Sequence, residues 1–237
     1  VTDCGCFGDA LKLTTGETFY KNVVFIGLII IMIFGLRYIK PLFSNKFASL
    51  TTFLSVGFSV AIIFYVLNHL PLIDFRPYAV GNSIENGMKV IKGEDIPPIH
   101  DFMVETADGD QLPRLLKKDK VMLVMMYSFK KAEKEAFPKI AEVAKKAEEK
   151  GYEVYILTDI PEEYMEKTPK ELGLPFKFAS CDGTALKTAI RANPGIMIIE
   201  KGVITGKWNW KDADKIELQN YNRKEYVFLN WKDKREL

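Results

Sequence analysis

Residues 121–138 read VMLVMMYSFKKAEKEAFP, and the fold prediction for residues 99–210 starts from this stretch. Its first part, Val121–Tyr127, is an apolar run of the kind that forms a strand buried on both faces. An exposed corner at Ser128–Ala132 follows, and a charged, alanine-rich helix then begins that meets Pro138 within about two turns. The stretch therefore predicts a buried strand, a corner and a helix that carries an early proline.

Strands and helices alternate on both sides of this stretch from residue 99 onward. The Asp108-Gly109 pair is a strong hairpin-turn signal, and apolar residues repeat at helical spacing along Ala132–Lys150. The predicted elements are strands 100–105 and 111–116 around that turn, strand 121–127, helix 132–150, strand 152–157, helix 161–172, strand 176–179, helix 184–191, and strands 196–200 and 203–208. This alternation predicts an α/β domain at residues 99–210, with helices on both faces of a central sheet.

The first third of the chain is dominated by two apolar segments. Residues 22–36 carry no charge, and residues 47–73 contain no Asp, Glu, Lys or Arg. Because a helix of about 20 apolar residues can cross a bilayer, we predict a transmembrane hairpin with spans at about 22–39 and 47–70. A buried core helix is the alternative for the first span, and the second span that follows at once disfavours it. The remaining assignments are a membrane part at 1–73, a linker at 74–98 and a charged tail at 211–237.

Basic residues in the loop between the two spans predict the orientation of the hairpin. Arg37, Lys40 and Lys46 lie in this loop without any acidic residue, whereas both outer flanks have mixed charge. Cytoplasmic loops carry an excess of Lys and Arg, so loop 37–46 is assigned to the cytoplasm. In a bacterial inner membrane this orientation puts the C-terminal domain and the N-terminal cysteines on the periplasmic side.

Composition argues against two classes of function. A net charge of +2 offers no electrostatic footprint for nucleic acid, so no nucleic-acid partner is expected. The chain has three cysteines, Cys4, Cys6 and Cys181, which is too few for a zinc site built from four cysteines. No metal site is predicted, since no histidine lies near Cys4 and Cys6 in the sequence.

The order of the elements and the residues at their corners resemble the thioredoxin fold, in particular its membrane-linked thiol–disulfide subgroup. Tyr127–Pro138 aligns without gaps on the active-site stretch of that subgroup, where Trp-Cys-x-x-Cys is followed by Pro. The matching positions are Phe129 at the Trp, Lys130 at the first Cys, Glu133 at the second Cys, and Asn193-Pro194 at the cis-proline beside the corner. The resemblance covers residues 98–210 and implies a thioredoxin-like sheet with helices on both faces.

At this corner the chain lacks the chemistry of the family that it resembles. Thioredoxin catalysis needs a thiolate nucleophile at a helix N-terminus, where the helix dipole lowers the thiol pKa. Lys130 and Glu133 cannot supply a thiolate, and a Lys–Glu pair at this spacing is ordinarily a surface pair. We therefore expect a redox-inactive binding or assembly module that presents Phe129, Lys130, Glu133, Asn193 and Pro194 to an envelope protein.

Residues 1–73 resemble a different family. The motif DCGCFGD at residues 3–9, followed by an aromatic-containing segment and two spans, is similar to the C-terminal half of DoxX/MauE-type membrane proteins. That family has four spans and carries CGCFG on its outer face, so the resemblance implies two further spans before Val1. Its MauE members work beside a thioredoxin-like partner in maturing methylamine dehydrogenase. The fusion of both parts in one chain resembles a DoxX-family type from Bacteroidetes.

Cys4 and Cys6 are the candidate redox pair of the chain. A Cys-x-Cys disulfide closes a very small ring and is relatively easy to reduce, so the pair suits a thiol–disulfide oxidoreductase. On the outer side of a membrane it could exchange electrons with an outside protein or a membrane quinone, and no other cofactor is expected. The alternatives are a structural disulfide, a tight glycine-shaped loop, and a purely structural role for the chain in a larger membrane complex.

Two further polar residues have ordinary explanations. Cys181, just before predicted helix 184–191, is expected to be a half-buried cysteine without a role, with a peripheral thiol as the alternative. His69, near the outer end of the second span, is expected to be a polar anchor at the level of the lipid headgroups.

Overall fold

The computed structural model describes residues 3–4, 13–38, 40, 44–90, 96–161 and 174–218. The chain divides into two compact units, Val1–Tyr65 and Val66–Leu237. The first unit contains the long apolar helices up to residue 65, and the second contains a mixed sheet with its helices.

A short hairpin and two long helices make up the described part of the first unit. Strand β1 (Asp3–Cys4) pairs antiparallel with β2 (Leu13–Thr14). Helix α1 (Thr15–Gly35) follows at once and is extended by a 3-10 turn at Leu36–Tyr38. Helix α2 (Asn45–Asn68) follows and ends just inside the second unit.

The start of α1 is set by a capping box. The Thr14 hydroxyl accepts a hydrogen bond from the Glu17 backbone N–H at 3.3 Å, and the Glu17 carboxylate accepts one from the Thr14 N–H at 2.8 Å. These bonds satisfy backbone donors that lie outside the intrahelical ladder. The helix therefore begins before the predicted span at 22–39 and includes the polar turn that precedes it.

Both helices are long and apolar enough to cross a membrane. Thr15–Tyr38 and Asn45–Asn68 each contain 24 residues, with mean hydropathies of 2.2 and 2.1. Within the described part of the chain, neither apolar window is buried at all, whereas the core helix of a soluble protein would be mostly covered. The two apolar helices predicted from the sequence are thus present, without the burial that a core helix would show.

The second unit is built around one mixed sheet. Its strands are β3 (Glu105–Thr106), β4 (Gly109–Asp110), β5 (Val121–Met126), β6 (Glu153–Thr158), β7 (Lys177–Ser180), β8 (Gly195–Glu200) and β9 (Val203–Asn209). Across the described residues they lie in the order β4-β3-β7-β6-β5-β8-β9, with β5, β6 and β7 parallel and the other pairings antiparallel. The helices are α3 (Ile84–Gly87), α4 (Leu112–Leu115), α5 (Ala136–Glu149) and α6 (Gly183–Ala189), with 3-10 helices at Phe129–Lys131 and Trp210–Lys215.

Strand β5 lies in the middle of the sheet and is buried on both faces. Met122 and Val124 belong to the cluster that contains the apolar side of α5. Leu123 and Met125 belong to the cluster on the opposite face, which contains the apolar side of α6. Successive side chains of a strand alternate between faces, so one apolar run contributes to two cores. The predicted sheet with helices on both faces is confirmed.

The predicted strand 111–116 is a helix instead. The Asp108-Gly109 turn is present and joins β3 to β4, but α4 replaces the rest of the return strand. The Asp110 carboxylate accepts a hydrogen bond from the Leu112 backbone N–H at 2.9 Å, which takes that donor away from a strand ladder. Pro113 then occupies the first turn of α4, where a missing N–H is tolerated.

Residues 74–98 were expected to form a linker, and their described part is instead packed on the domain. Tyr78 and Ile84 are fully buried in the core. Ser83 forms a β-bridge with β9, and the Gly81 N–H donates to a β9 carbonyl at 2.8 Å. The domain therefore begins well before the predicted boundary, because this segment covers the apolar face beside β9.

The first residues of the predicted tail at 211–237 also belong to the domain. The 3-10 helix Trp210–Lys215 follows β9 directly, and Trp210 and Ala213 are buried in the cluster that contains α5. The predicted boundary at 210 therefore cuts through a packed element. Residues 219–237 lie outside the described structure, as does the predicted helix 161–172 apart from its first residue.

Glu153, at the start of β6, is paired with basic residues at the amino edge of the sheet. Its carboxylate accepts two hydrogen bonds from Arg114, at 2.7 and 2.9 Å, and one from Lys177 at 3.4 Å. The hydrogen bonds from Arg114 are the main reason why the pKa of Glu153 is below its ordinary value. Burial acts in the opposite direction and raises this pKa. Such a carboxylate stabilises the fold at pH values above its pKa in the unfolded state. The stabilisation is lost as the pH falls through its pKa in the folded state.

Glu153→Gln is expected to lower the free energy of unfolding by about 1 kcal/mol near pH 7. The difference from wild type should shrink below about pH 4, because the wild-type carboxylate is then protonated as well. Urea unfolding of the full chain in detergent, followed by tryptophan fluorescence at both pH values, measures this. Glu149→Gln, at an exposed position in the last turn of α5, serves as the control. A difference that stays constant with pH would contradict the assigned role of the carboxylate.

Candidate functional site

Three chain segments meet at the carboxyl edge of the parallel strands. Strand β5 runs into the corner, defined as Ser128–Glu133, and β6 runs into Asp159. Strand β8 starts beside the end of β5, since Gly195 lies opposite Met125, and it is preceded by Asn193-Pro194. Ligands of open α/β sheets bind outside this edge, so it is the candidate functional site.

The backbone of the corner is held by neighbouring loops. Phe129–Lys131 form a 3-10 helix, and the Phe129 N–H donates to the Asp159 carboxylate at 2.8 Å. The chain leaves helical geometry at Ala132, whose backbone is extended. The Glu133 N–H then donates to the Asn193 carbonyl at 3.3 Å. The corner is therefore bonded to the loops after β6 and before β8.

Helix α5 begins at Ala136, whereas the sequence predicted a start at Ala132. The reason is that the Ala132 backbone is extended, so the helical turn starts only when the Ala136 N–H donates to the Glu133 carbonyl at 3.0 Å. Pro138 lies in the first turn, where its missing N–H costs no intrahelical bond. The helix N-terminus therefore lies beyond the two positions that match the cysteines of the resembled family.

Asn193 closes the corner through its side chain. Its amide nitrogen donates to the Ser128 carbonyl at 2.8 Å, and its amide oxygen accepts from the Ser128 N–H at 3.5 Å. The Asn193–Pro194 peptide bond is cis, as the resemblance implied, and Pro194 is buried. One asparagine therefore contacts both ends of the corner, at Ser128 through the side chain and at Glu133 through the backbone.

The exposed side chains of the corner are charged. Lys130 and Glu133 are both exposed, and their role in binding stays a prediction. Phe129 is half-buried and packs against the cluster that contains α5, so part of its ring belongs to the core. Further exposed charges beside them are Lys131, Lys134 and Glu135. The corner can thus form hydrogen bonds and ion pairs with a polar partner.

Sequence reasoning missed two residues of this site. Asp159 fixes the start of the 3-10 helix, and the Ser128 backbone donates one hydrogen bond to the Asn193 side chain and accepts one from it. A carboxylate that comes directly after a predicted buried strand was the available signal for Asp159, because such positions line the carboxyl edge of the sheet. Ser128 acts only through its backbone, so its residue type carries no signal.

The described residues supply no reactive thiol and no metal site at the corner. Cys181 is 4% exposed and lies in the core on the face of α6. Burial raises the pKa of the Cys181 thiol to about 12, so the thiol stays neutral and unreactive near pH 7. It is thus more deeply buried than predicted. In the part of the chain that the structure describes, no group of three or more His, Cys, Asp or Glu residues could hold a metal ion.

The candidate redox pair lies in the first unit. Cys4 is in β1, opposite Leu13 of the strand that leads directly into α1. Cys6 lies outside the described residues, so a pairing of Cys4 with Cys6 stays a prediction.

His69 has a protein partner within the second unit. Its Nδ1 lies 2.7 Å from Oδ2 of Asp212, and the Nζ of Lys211 donates to the Asn68 side-chain oxygen at 2.7 Å. Lys211 and Asp212 follow β9, whose last residue lies across β8 from the end of β5. Asn68 and His69 therefore contact the domain at the same edge of the sheet as the corner.

The strand order and the two helical layers decide the fold of the second unit. Its fold is thioredoxin-like. No protein-family model matches the chain, and no curated protein matches it. Solved structures do match, at low sequence identity.

Three of these structures come from proteins with thiol–disulfide names. A thiol:disulfide interchange protein from Bacteroides sp. is 17% identical, with 52% of this chain and 88% of that chain covered and a TM-score of 0.40. The thioredoxin domain of a thiol-disulfide oxidoreductase from Bacteroides vulgatus is 18% identical, with coverages of 40% and 73% and a TM-score of 0.32. A thioredoxin-family thiol:disulfide interchange protein from Chlorobium tepidum is 15% identical, with coverages of 45% and 80% and a TM-score of 0.32.

Proposed function

We propose that this chain is a membrane-anchored envelope protein whose thioredoxin-like domain binds a protein partner at the corner and performs no thiol–disulfide exchange there. The two long apolar helices supply the anchor. The exposed charges of the corner supply the binding surface. Its role is that of a binding or assembly module.

The chemistry of the corner supports this proposal. The positions that match the two cysteines hold Lys130 and Glu133, and α5 begins only at Ala136. Thiol–disulfide exchange needs a thiolate, stabilised at a helix N-terminus or by neighbouring cations. An ammonium and a carboxylate cannot replace it. The corner keeps a backbone held by Asn193 and Asp159, which is suited to recognition.

The proposal also assigns the domain to the periplasm of a bacterium and residues 1–73 to a DoxX/MauE-like module. The basic loop 37–46 supports the orientation, and the CGCFG motif supports the module. A phosphatase that is active only in the periplasm, fused after Leu237, is expected to be active. A fluorescent protein that matures only in the cytoplasm, fused at the same place, is expected to be dark. The reverse pattern would contradict the orientation.

The full chain in detergent is expected to leave the rate of insulin reduction by dithiothreitol unchanged, because the corner has no thiol. Thioredoxin serves as the positive control. The variant with both Cys4→Ser and Cys6→Ser is assayed in parallel, since it separates the two candidate sites. If the full chain accelerates insulin reduction and the double variant does so too, the domain is not redox-inactive. If the double variant no longer accelerates the reaction, the result supports the alternative function below.

A photo-crosslinking amino acid at Lys130 is expected to capture a protein partner in native membranes, with a yield several-fold above that at Lys201. Lys201 is exposed in the turn between β8 and β9, at the opposite edge of the sheet, and is therefore the matched control. Asn193→Ala removes both side-chain bonds to Ser128 and should reduce the yield at Lys130. Equal yields at Lys130 and Lys201 would exclude the corner as the binding surface.

The alternative function is a thiol–disulfide or quinone-linked redox protein that uses Cys4 and Cys6. The position of Cys4 favours it, because β1 belongs to a hairpin that leads directly into an apolar helix. Alkylation of both thiols in intact membranes, with and without reductant, tests this function. A pair whose redox state never changes, or whose replacement by serine has no effect on the phenotype, would exclude electron relay.

A further inference from the structure

An exposed apolar loop follows α2 in the second unit. Helix α2 ends at Asn68, and Leu72, Ile73 and Phe75 are 81%, 67% and 59% exposed. Among the described residues beyond α2, Leu72 and Ile73 have the largest exposed fractions of any large apolar side chain. Clustered apolar side chains on a surface usually mark a contact with a partner or a membrane.

Polar side chains between these apolar residues hold the loop on the domain. The Asp74 carboxylate forms an ion pair with Lys207 of β9 at 2.6 Å. Nη1 of Arg76 donates to the carbonyls of Lys187 and Thr188 at the end of α6, at 3.0 and 2.8 Å. The loop is thus fastened through its polar residues, while its apolar residues stay in solvent. Because the loop is already ordered, little conformational entropy is lost when these apolar side chains bind.

We propose that Leu72, Ile73 and Phe75 insert into the boundary between lipid headgroups and acyl chains and form a membrane contact separate from the spanning helices. This inference rests on the proposed function, in which α2 crosses the membrane. Leu72 follows Asn68 by four residues. A chain reaches at most about 3.5 Å per residue, so Leu72 lies within about 14 Å of the end of the span. The lipid surface at which α2 ends is therefore within reach of the loop.

The size of the patch also favours lipid over a protein partner. Its three side chains expose on the order of 400 Å², about half of the roughly 800 Å² that each partner buries in a standard protein interface. A patch of this size adds to the affinity of a chain that is already anchored, since apolar side chains gain free energy on leaving water. It is too small to hold a second copy of the chain by itself.

Fluorescent labels on single cysteines test this inference in the full chain, reconstituted into phosphatidylcholine–phosphatidylglycerol vesicles. Cys4 and Cys6 are replaced by Ser in the background, and the buried Cys181 is retained. An environment-sensitive fluorophore is placed at Ile73→Cys, at Phe75→Cys, at Gly57→Cys within α2, and at Asp119→Cys, whose side chain is 80% exposed at the amino edge of the sheet. Brominated acyl chains quench a label that lies in the bilayer.

Labels at Ile73 and Phe75 are expected to show blue-shifted emission and several-fold stronger quenching than the label at Asp119. Quenching at Gly57 without quenching at either loop position would overturn this inference and leave the membrane anchor intact. No quenching at Gly57 would overturn the anchor and the proposed function with it. A third outcome is that the loop labels show blue-shifted emission that changes with protein density and is not quenched by brominated lipid. This outcome would identify a second copy as the occupant and overturn the lipid contact.

Discussion

Asp74→Asn is expected to lower the free energy of unfolding of the second unit by about 3 kcal/mol. The Asp74 carboxylate lies 2.6 Å from the Nζ of Lys207, whose side chain is only 7% exposed. Lys207 also donates to the Tyr78 carbonyl at 3.1 Å. Burial lowers the pKa of Lys207, and the charge of Asp74 opposes that shift. Without the carboxylate, a buried ammonium would be left beside a neutral amide.

The penalty of Asp74→Asn is also expected to depend on pH. In the variant, the pKa of Lys207 in the folded state falls further below its unfolded value. The unfolded state then binds more protons between those two pKa values, so stability rises with pH across that interval. The difference from wild type should therefore be largest near neutral pH and shrink toward about pH 10.

Urea unfolding of the full chain in detergent, followed by tryptophan fluorescence, measures both effects. Asp119→Asn is the matched control, because Asp119 pairs with Lys201 at 3.5 Å and both side chains are mostly exposed. Such an exposed pair contributes at most about 1 kcal/mol. Adding Lys207→Met to Asp74→Asn removes the buried charge and should recover most of the loss. Equal losses in Asp74→Asn and Asp119→Asn would show that the buried pair acts like a surface pair.

Gly206→Ala is expected to destabilise the second unit by about 2 kcal/mol, because it displaces the ring of Trp208. A methyl group built on Gly206 would overlap three atoms of that ring. Trp208 is half-buried and packs against the cluster that contains α5, so its indole cannot move away without losing contacts there. The glycine therefore provides the space in β9 over which the indole lies.

Trp208→Leu provides the control for this prediction, because it removes the ring that the new methyl group would meet. In the Trp208→Leu background, Gly206→Ala is expected to cost less than about 0.5 kcal/mol. Near-UV circular dichroism should show the displaced indole in the single variant Gly206→Ala. An equal cost of Gly206→Ala in both backgrounds would contradict steric overlap as the cause.

Local patterns were sufficient to predict the elements with a strong period or composition. Strand β5 is an apolar run, and α5 repeats apolar residues at helical spacing. The two long apolar helices are recognisable from composition alone. These signals depend on residues that are close along the chain, so they can be recognised without knowledge of the fold.

Elements that depend on distant partners were predicted less well. The segment that contains Tyr78 and Ile84 has no period, although both residues are fully buried. The expected return strand became α4, because the Asp110 side chain bonds to a backbone N–H that a strand would have used. Isolated apolar residues become buried only when another part of the chain covers them, and a local pattern cannot indicate this.

The candidate site shows the same division. The residue types at Lys130 and Glu133 were enough to argue against a thiol pair at the corner. The bond from Phe129 to Asp159 joins residues 30 positions apart, and the bonds from Asn193 to Ser128 join residues 65 positions apart. Such bonds follow from the order of strands in the sheet, so local sequence does not predict them.

Sequence patterns alone predict the two apolar helices, the alternation of strands and helices, and the residue types at the corner, because hydrophobic period and side-chain chemistry are local properties. Long-range contacts in the folded domain set where the domain begins, where α5 starts and which side chains close the corner. Strand β8 places Asn193 beside the end of β5. The Asn193 carbonyl then accepts a hydrogen bond from the Glu133 backbone N–H. A backbone donor bonds to the acceptor that the fold brings nearest, and that acceptor can lie anywhere in the chain.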